Sequence, residues 1–513
     1  MAPWCKALLV ASLVAVLSKS PPSVRTSLTS TSFLSVSADS NGGPELPGAP
    51  RESQDLKCMQ LNPVRFASLG GPHCGALLKY IQANARAENL KMAIVSRDSV
   101  WVQPQSYFGI LQSHIKPLKM ETGTLSAMVA TWSRTEAGTT MTKLDPKANK
   151  LTLANGKEMT YKALVLGTGF DHSPDFIEGL SEFDQGHESN NVFVHALDDR
   201  ARLTRNFYNG FMHTRGDYIN YSPATPYKGE GTDFYALYYE SIMRQDQIVH
   251  CTSSGAKIQH WTPNKYIYQF NYANEVALDE CAKRGIEVHL GWELLRVRQE
   301  GDVKIATFKN VDSGETIERD FAGANINPPS KQHKVILDSG VCDKTGMVDV
   351  NRYTMQHNKF ENIFAIGDCI SGETTRTYTS GISQNPIVKH NVLQYLEGKE
   401  CNAIYDGYTY MPFYLGTNYG AGFSHLHDFE PAPTNDCVPH YGVFSNLYFN
   451  YMMGNQQKAG EKYTNFSKNQ GPPHWHYPAR YDTLENNEYL ESRQIELDEV
   501  RHPNAQKRLT PAV

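Results

Sequence analysis

Paired cysteines are missing from this chain. Its nine cysteines lie scattered through 513 residues without a C-x-x-C spacing, which argues against a structural zinc site and against a secreted disulfide scaffold. His474 and His476 flank Trp475 at a spacing that can ligate metal, but nothing near them completes a ligand set, so no metal site is expected. Excess positive charge is missing too. With 49 Lys and Arg against 54 Asp and Glu the net charge is −5 and the isoelectric point about 6.4, so nucleic acid is not an expected partner. Beyond the first residues no long apolar run occurs, and mean hydropathy is −0.48, which excludes a polytopic membrane protein. A chain of this length can bury several cores, and two or three domains are expected.

Acidic residues are absent before Asp39. Lys6 precedes an 11-residue apolar run, residues 7–17, and a Ser/Thr-rich stretch with Lys19 and Arg25 follows. The run has signal-peptide length and is short for a bilayer span, whereas its acid-free, hydroxyl-rich continuation has the composition of an organellar transit sequence. A mitochondrial address and a secretory or plastid route both stay open. Either way, residues 1–58 are expected to be a targeting leader and linker outside the fold.

Residues 64–69 have the pattern of a short apolar strand closing on Gly70-Gly71. Residues 75–85 follow with a helical pattern, and residues 91–95 with the next strand, a Rossmann-like opening. Residues 151–153 and 159–161 flank Asn155-Gly156, a hairpin-turn signal. Residues 163–166 then return to a parallel sheet and end in Gly167-Thr168-Gly169. Residues 173–304 are expected to form an inserted second α/β unit, with strands at 217–221, 247–252 and 286–290 and helices at 234–243 and 274–283. No Gly-rich loop follows its first strand. Ser222-Pro223-Ala224-Thr225-Pro226 stands there instead and cannot offer the close backbone approach that a nicotinamide dinucleotide needs.

From residue 401 the composition turns rich in Tyr, Asn and His. Phe444, Leu447, Tyr448, Tyr451 and Met452, at spacings 0, 3, 4, 7 and 8, share one helical face. The tail after Lys458 is polar, carries Gly471-Pro472-Pro473, and has the composition of an extended arm.

The most informative run is Asn362-Ile363-Phe364-Ala365-Ile366-Gly367-Asp368-Cys369, an apolar strand ending in Gly-Asp and followed by a Gly/Ser/Thr-rich loop and helix over residues 371–395. Together with Leu69-Gly70-Gly71, the run Tyr161 to Gly169, Thr225-Pro226-Tyr227-Lys228, Gly346-Met347-Val348-Asp349-Val350 and Tyr405-Asp406-Gly407-Tyr408-Thr409, it resembles the sulfide:quinone oxidoreductases of mitochondrial type. The similar segments run from about residue 64 to about residue 453 in the same order. The resemblance implies an α/β fold of two Rossmann-like three-layer domains, as in the flavoprotein disulfide reductases. A discontinuous FAD-type domain would occupy residues 59–172 and 305–400, and the second domain residues 173–304. A helical, membrane-proximal region would follow at 401–457 and a polar tail at 458–513. Residues 441–453 would touch one membrane leaflet, or else cover a domain interface. No Lys or Arg lies between Asp436 and Gln457 to hold anionic lipid.

The family's chemistry needs bound FAD, a cysteine pair that takes sulfur from sulfide, and a quinone as electron acceptor. By resemblance Gly70, Gly71, Gly75, Arg97, Gly167, Gly169, Gly367 and Asp368 bind the cofactor, with Asp368 on the ribityl hydroxyls, and Cys369 is the catalytic residue. Three positions depart from the pattern. Pro72 replaces the glycine that lets pyrophosphate sit against bare backbone. Ser96 replaces the acidic residue that would hold the adenosine ribose, and Arg97 could reach a phosphate in partial compensation. Losing two charge-assisted hydrogen bonds costs roughly 3 to 6 kcal/mol, about two to four decades of affinity. Gly229 stands where the second redox cysteine would follow Lys228. Cys342, which precedes the run Gly346 to Val350, is the best remaining stand-in, while Cys251 and Cys281 have the setting of buried small hydrophobes.

Two readings follow. One is an FAD-dependent oxidoreductase, peripheral on the mitochondrial inner membrane, that passes electrons from sulfide or a small thiol to quinone. The other is a catalytically silent relative kept as a structural or accessory subunit of a mitochondrial membrane complex. An NADH:quinone reductase shares the architecture but requires the dinucleotide loop that residues 222–226 lack.

Overall fold

The computed structural model describes residues 64–70, 92–96, 100–102, 121–124, 134–137, 139–183, 192–194, 216–230, 234–241, 257–372, 374–415 and 419–431. The expected helices at 75–85 and 444–452, the strand at 247–252, the leader and the tail lie outside them.

The first sheet has seven strands. Val64–Gly70 runs parallel to Met92–Ser96 on one side and to Glu158–Gly167 on the other. Arg134–Ala137 extends the sheet beyond Met92–Ser96, and Ile363–Ala365 lies beside Glu158–Gly167. The long strand Glu158–Gly167 changes character along its length. Its first half alternates exposed and buried residues where it pairs antiparallel with Lys150–Leu153; its second half, Ala163 to Leu166, is buried without interruption. That switch is what a strand leaving a half-solvated hairpin for a sheet covered on both faces requires. The hairpin closes through Gly156, at φ +79°, whose N–H donates to Leu153; the Asn-Gly signal is thus a type I turn completed by a left-handed glycine. The 19-residue helix Tyr378–Leu396 is capped by the Thr377 hydroxyl, which accepts from Ser380 N–H. It lays Ile387, Val388 and Val392 into the core shared with Val165 and Phe364.

The second sheet is all parallel, in the order Val192–Val194, Gly323–Ile326, Tyr218–Tyr221, Ile258–Thr262, Glu287–Leu290. Alternate side chains serve different layers. Tyr218 and Ile258 join a core with the helix Asn271–Arg284 and with Phe234 to Tyr239. Ile219, Tyr221 and Trp261 join another with the antiparallel sheet Trp292–Glu300, Val303–Asn310 and Thr316–Phe321. Two expectations need correction here. The second unit does not stop at residue 304, because the chain returns from the antiparallel sheet to place Gly323–Ile326 inside the parallel one. The C-terminal region is not helical over its described part. Thr409–Leu415 and Tyr419–His425 form an antiparallel hairpin, and its Met411, Phe413, Ala421 and Phe423 pack into the core of the second sheet. Among the described residues no helix is long and apolar enough to cross a membrane.

Candidate functional site

Three parallel strands bring their carboxyl ends together. Gly70 stands in register with Gly167, and Ala365 with Leu166; Ile366 N–H then donates to Leu166 at 2.9 Å. The turn Gly167-Thr168-Gly169 therefore lies beside the 3-10 turn Gly367–Cys369, in the crevice outside the strand ends where α/β sheets of this kind take ligands. Gly169 has φ +63°, and a Cβ built on it would meet nothing within 4 Å, so that side of the turn is open. Gly367 has φ +78°, and its N–H donates to Gln384 Oε1 at 2.7 Å, tying the turn to the helix Tyr378–Leu396. Of the other expected cofactor residues, Gly71, Gly75 and Arg97 lie outside the described residues, as does Pro72. Ser96 ends the second strand of the sheet, where the ribose-binding acid was expected.

Asp368 is half-buried, and none of the described residues donates a hydrogen bond to its carboxylate. Burial pushes its pKa up, while the positive charges of Lys228 and Arg376 pull it down. A carboxylate held at a strand end without donors among the described residues can accept hydroxyls. With Gly167, Gly169 and Gly367 around it, this part of the crevice fits the ribityl side of FAD.

Sequence reasoning missed the group next to it. Glu230 is 3% exposed, with Oε1 accepting from Tyr227 N–H at 3.0 Å and Oε2 from Arg376 N–H at 2.9 Å. Burial raises its pKa to about 7, against the lowering effects of Arg376 and of the two N–H donors; Asp368 adds to the rise. The buried Arg376 guanidinium donates to the carbonyls of Thr374 at 2.7 Å and Ile370 at 3.1 Å. Gln332 and His333 brace the same turns, donating to the Cys369 carbonyl at 3.4 Å and contacting the Thr168 carbonyl at 3.2 Å. The signal available in the sequence was a carboxylate one residue past the position of the absent cysteine.

Cys369 is fully buried in the first core. Its Sγ donates to the carbonyls of Ile366 at 3.5 Å and Leu166 at 3.7 Å. Burial pushes the thiol pKa up, ahead of hydrogen bonding at Thr168 and Gly169 that acts the other way. The thiolate is the nucleophilic form, so a thiol in this setting is a poor one. Among the described residues it is a free thiol. Gly229, at φ +84°, carries no sulfur, and Cys342 is a free thiol donating to the Ile336 carbonyl. The Val348 backbone runs between Cys342 and Cys369, bridged to the first and donating to the carbonyl of the second. Burial pushes the Cys342 thiol pKa up to about 11, with Cys369 adding to the rise, and the two cysteines stand as free thiols rather than as a disulfide.

No family model matches the chain. Among curated proteins it is similar to the mitochondrial sulfide:quinone oxidoreductase of Schizosaccharomyces pombe, 29% identical over 281 residues, covering 54% of this chain and 59% of that protein. The mouse protein of the same description is 26% identical over 285 residues, 54% of this chain and 59% of that one. The match thus spans about three fifths of the length of these relatives. Among solved structures, a chain of the Tetrahymena thermophila mitochondrial ATP synthase has a TM-score of 0.72 at 21% identity, covering 82% of this chain and 98% of that one. The sulfide:quinone oxidoreductase of Aquifex aeolicus has a TM-score of 0.58 at 16% identity, covering 78% and 91%. The expected fold, two Rossmann-like three-layer domains of the flavoprotein type, is the observed one. In sequence over about half its length this chain resembles the mitochondrial sulfide:quinone oxidoreductases, and in fold over most of it the bacterial one.

Proposed function

We propose that this chain is a mitochondrial protein that keeps a flavoprotein fold as a structural subunit of a membrane complex of the ATP-synthase kind, without turning over sulfide. The observation that carries the reading is the state of Cys369, closed into the core with glycine where its partner would be. A persulfide cycle needs two sulfurs within bonding reach and one of them open to sulfide. The likeness to a chain of the Tetrahymena ATP synthase, which spans 98% of that chain, supports the assembly half. Contact with the inner membrane would be peripheral and would use residues 441–453.

The competing reading, electron transfer from sulfide or a small thiol to quinone, draws on Asp368. Gly167, Gly169, Gly367 and Asp368 would hold the ribityl side of FAD, and the flavin, when bound, supplies two-electron chemistry. Asp368 would accept hydroxyls there, and Gln384 would keep Gly367 in its turn. None of this restores the missing sulfur. FAD held at Asp368 would serve as a packing element of the subunit.

The assembly half is tested by native electrophoresis of detergent-solubilised mitochondria, probing the gel for this chain and for ATP hydrolysis. Co-migration with the intact ATP synthase, lost only when that complex is dissociated, is expected. A chain that runs free while the synthase stays whole contradicts the proposal.

A further inference from the structure

Four consecutive residues, Thr374 to Thr377, each reach a different part of the chain, and all four are buried. The Thr374 hydroxyl donates to the Gly407 carbonyl at 3.3 Å. The Thr375 hydroxyl lies 2.7 Å from His425 Nε2, and His425 Nδ1 lies 2.7 Å from the Leu426 carbonyl. Burial lowers the His425 pKa to about 4, so the ring is neutral. A carbonyl only accepts, so Nδ1 carries the ring proton and Nε2 accepts from Thr375. Arg376 N–H donates to Glu230 Oε2 at 2.9 Å. The Thr377 hydroxyl lies 2.5 Å from that of Thr409 and accepts from Ser380 N–H at 3.3 Å.

The segment itself belongs to the first unit. Ile370 and Ile387 on either side of it lie in that unit's core, and Thr377 caps the helix Tyr378–Leu396. Its partners lie elsewhere. Glu230 ends a loop of the second unit. Gly407, Thr409 and His425 belong to the C-terminal hairpin and its base, and the hairpin's Phe413 and Phe423 are part of the second unit's core. The segment is also knotted on itself: the Arg376 guanidinium donates to the carbonyls of Ile370 and Thr374, and Thr377 N–H donates to the Thr375 carbonyl at 2.8 Å. We propose that Thr374 to Thr377 are a lock between the first unit and the second unit with its hairpin. The three open only together, and the crevice at Asp368 keeps a preset width instead of closing by a hinge. A hinge would have to break all four outward bonds at once, which at about tenfold each disfavours the unlocked state about ten-thousandfold. The other tie at the hairpin's end, Arg352 on Asp428 at 3.0 and 3.2 Å, involves an exposed carboxylate and adds little. The inference does not depend on the subunit reading above.

Amide hydrogen exchange of the full chain in low denaturant, under fast reclosing, tests this. Three amides report on the three parts: Ile366, bonded to Leu166 in the first sheet; Ser222, bonded to Trp261 in the second; and His427, bonded to Asp406 at the base of the hairpin. In the wild-type chain all three should fall on one denaturant slope. Thr375→Val keeps the side-chain shape and leaves His425 Nε2 without its donor. It should speed all three amides by the same factor, about tenfold, and leave Gly156, in the turn after Leu153, unmoved. A shallower slope at Ser222 or His427 in the wild type shows a part that opens without breaking the lock, and overturns the proposal without any variant. So does an acceleration in Thr375→Val that spares one of the three amides, or none at all.

Discussion

Gly407→Ala is expected to cost about 3 kcal/mol or more of folding stability, a large share of the roughly 5 to 15 kcal/mol by which a typical chain is held folded. A Cβ at this position would lie 2.2 Å from the backbone nitrogen of His427 and 2.6 Å from two atoms of its ring, and the residue sits at φ +88°. Neither neighbour can give way easily. The His427 N–H donates to the Asp406 carbonyl at 2.9 Å and its ring contacts the Tyr405 carbonyl at 3.0 Å. Tyr405 in turn donates to Tyr408 at 2.8 Å. Only a residue without a side chain lets the two segments cross this closely. Gly398 supplies the control, since it has a similar φ of +73° but nothing within 4 Å of a built Cβ. Gly398→Ala should lose only the conformational part, about 1 to 2 kcal/mol. Denaturant unfolding of the two variants measures the difference; equal losses would mean the crossing is not as tight as it stands.

Trp261→Ala should cost about 3 to 5 kcal/mol. The indole is fully buried and lies between two rings, with its centroid 3.7 Å from that of His289 and 4.2 Å from that of Phe308. Through Phe308 it joins the parallel sheet of the second unit to the antiparallel one, in a core it shares with Ile219 and Tyr221. Its Nε1–H donates to Gln259 Oε1 at 3.0 Å, and Gln259 is held by Asp217 at 3.1 Å. Trp261→Phe keeps a ring in the stack and loses chiefly that hydrogen bond, so about 1 to 2 kcal/mol is expected. The comparison is again made by denaturant unfolding. An alanine variant within 1 kcal/mol of the wild type would show that the stack carries little of the fold.

The strand that holds Trp261 also marks where sequence reasoning stops. The first sheet was legible because its signals are local: an Asn-Gly turn, a strand that passes from alternating to continuous apolar residues, and Gly-Asp at a strand end. Ile258–Thr262 offers no such pattern. Gln259 and His260 are polar yet buried, and what makes that tolerable lies outside the strand: Asp217 on Gln259, and Asn220 Nδ2 donating to His260 Nδ1 at 2.9 Å. Gly323–Ile326 was missed for a related reason, since nothing in four residues announces a return to a sheet begun more than a hundred residues earlier. At the site, the position of Asp368 and Cys369 could be read, and so could the absence of a cysteine at 229. The burial of Cys369 and the Glu230 to Arg376 contact could not, because both are made by segments far apart in sequence.

The proposal that the fold has outlived sulfide chemistry is tested most directly by anaerobic titration of the purified full chain with sulfide, followed in the visible spectrum with a soluble quinone then added. The account predicts either a yellow protein whose flavin bands stay unbleached or a colourless one, with quinone reduced no faster than by sulfide alone. Bleaching that is reversed by quinone and abolished in Cys369→Ser would contradict it.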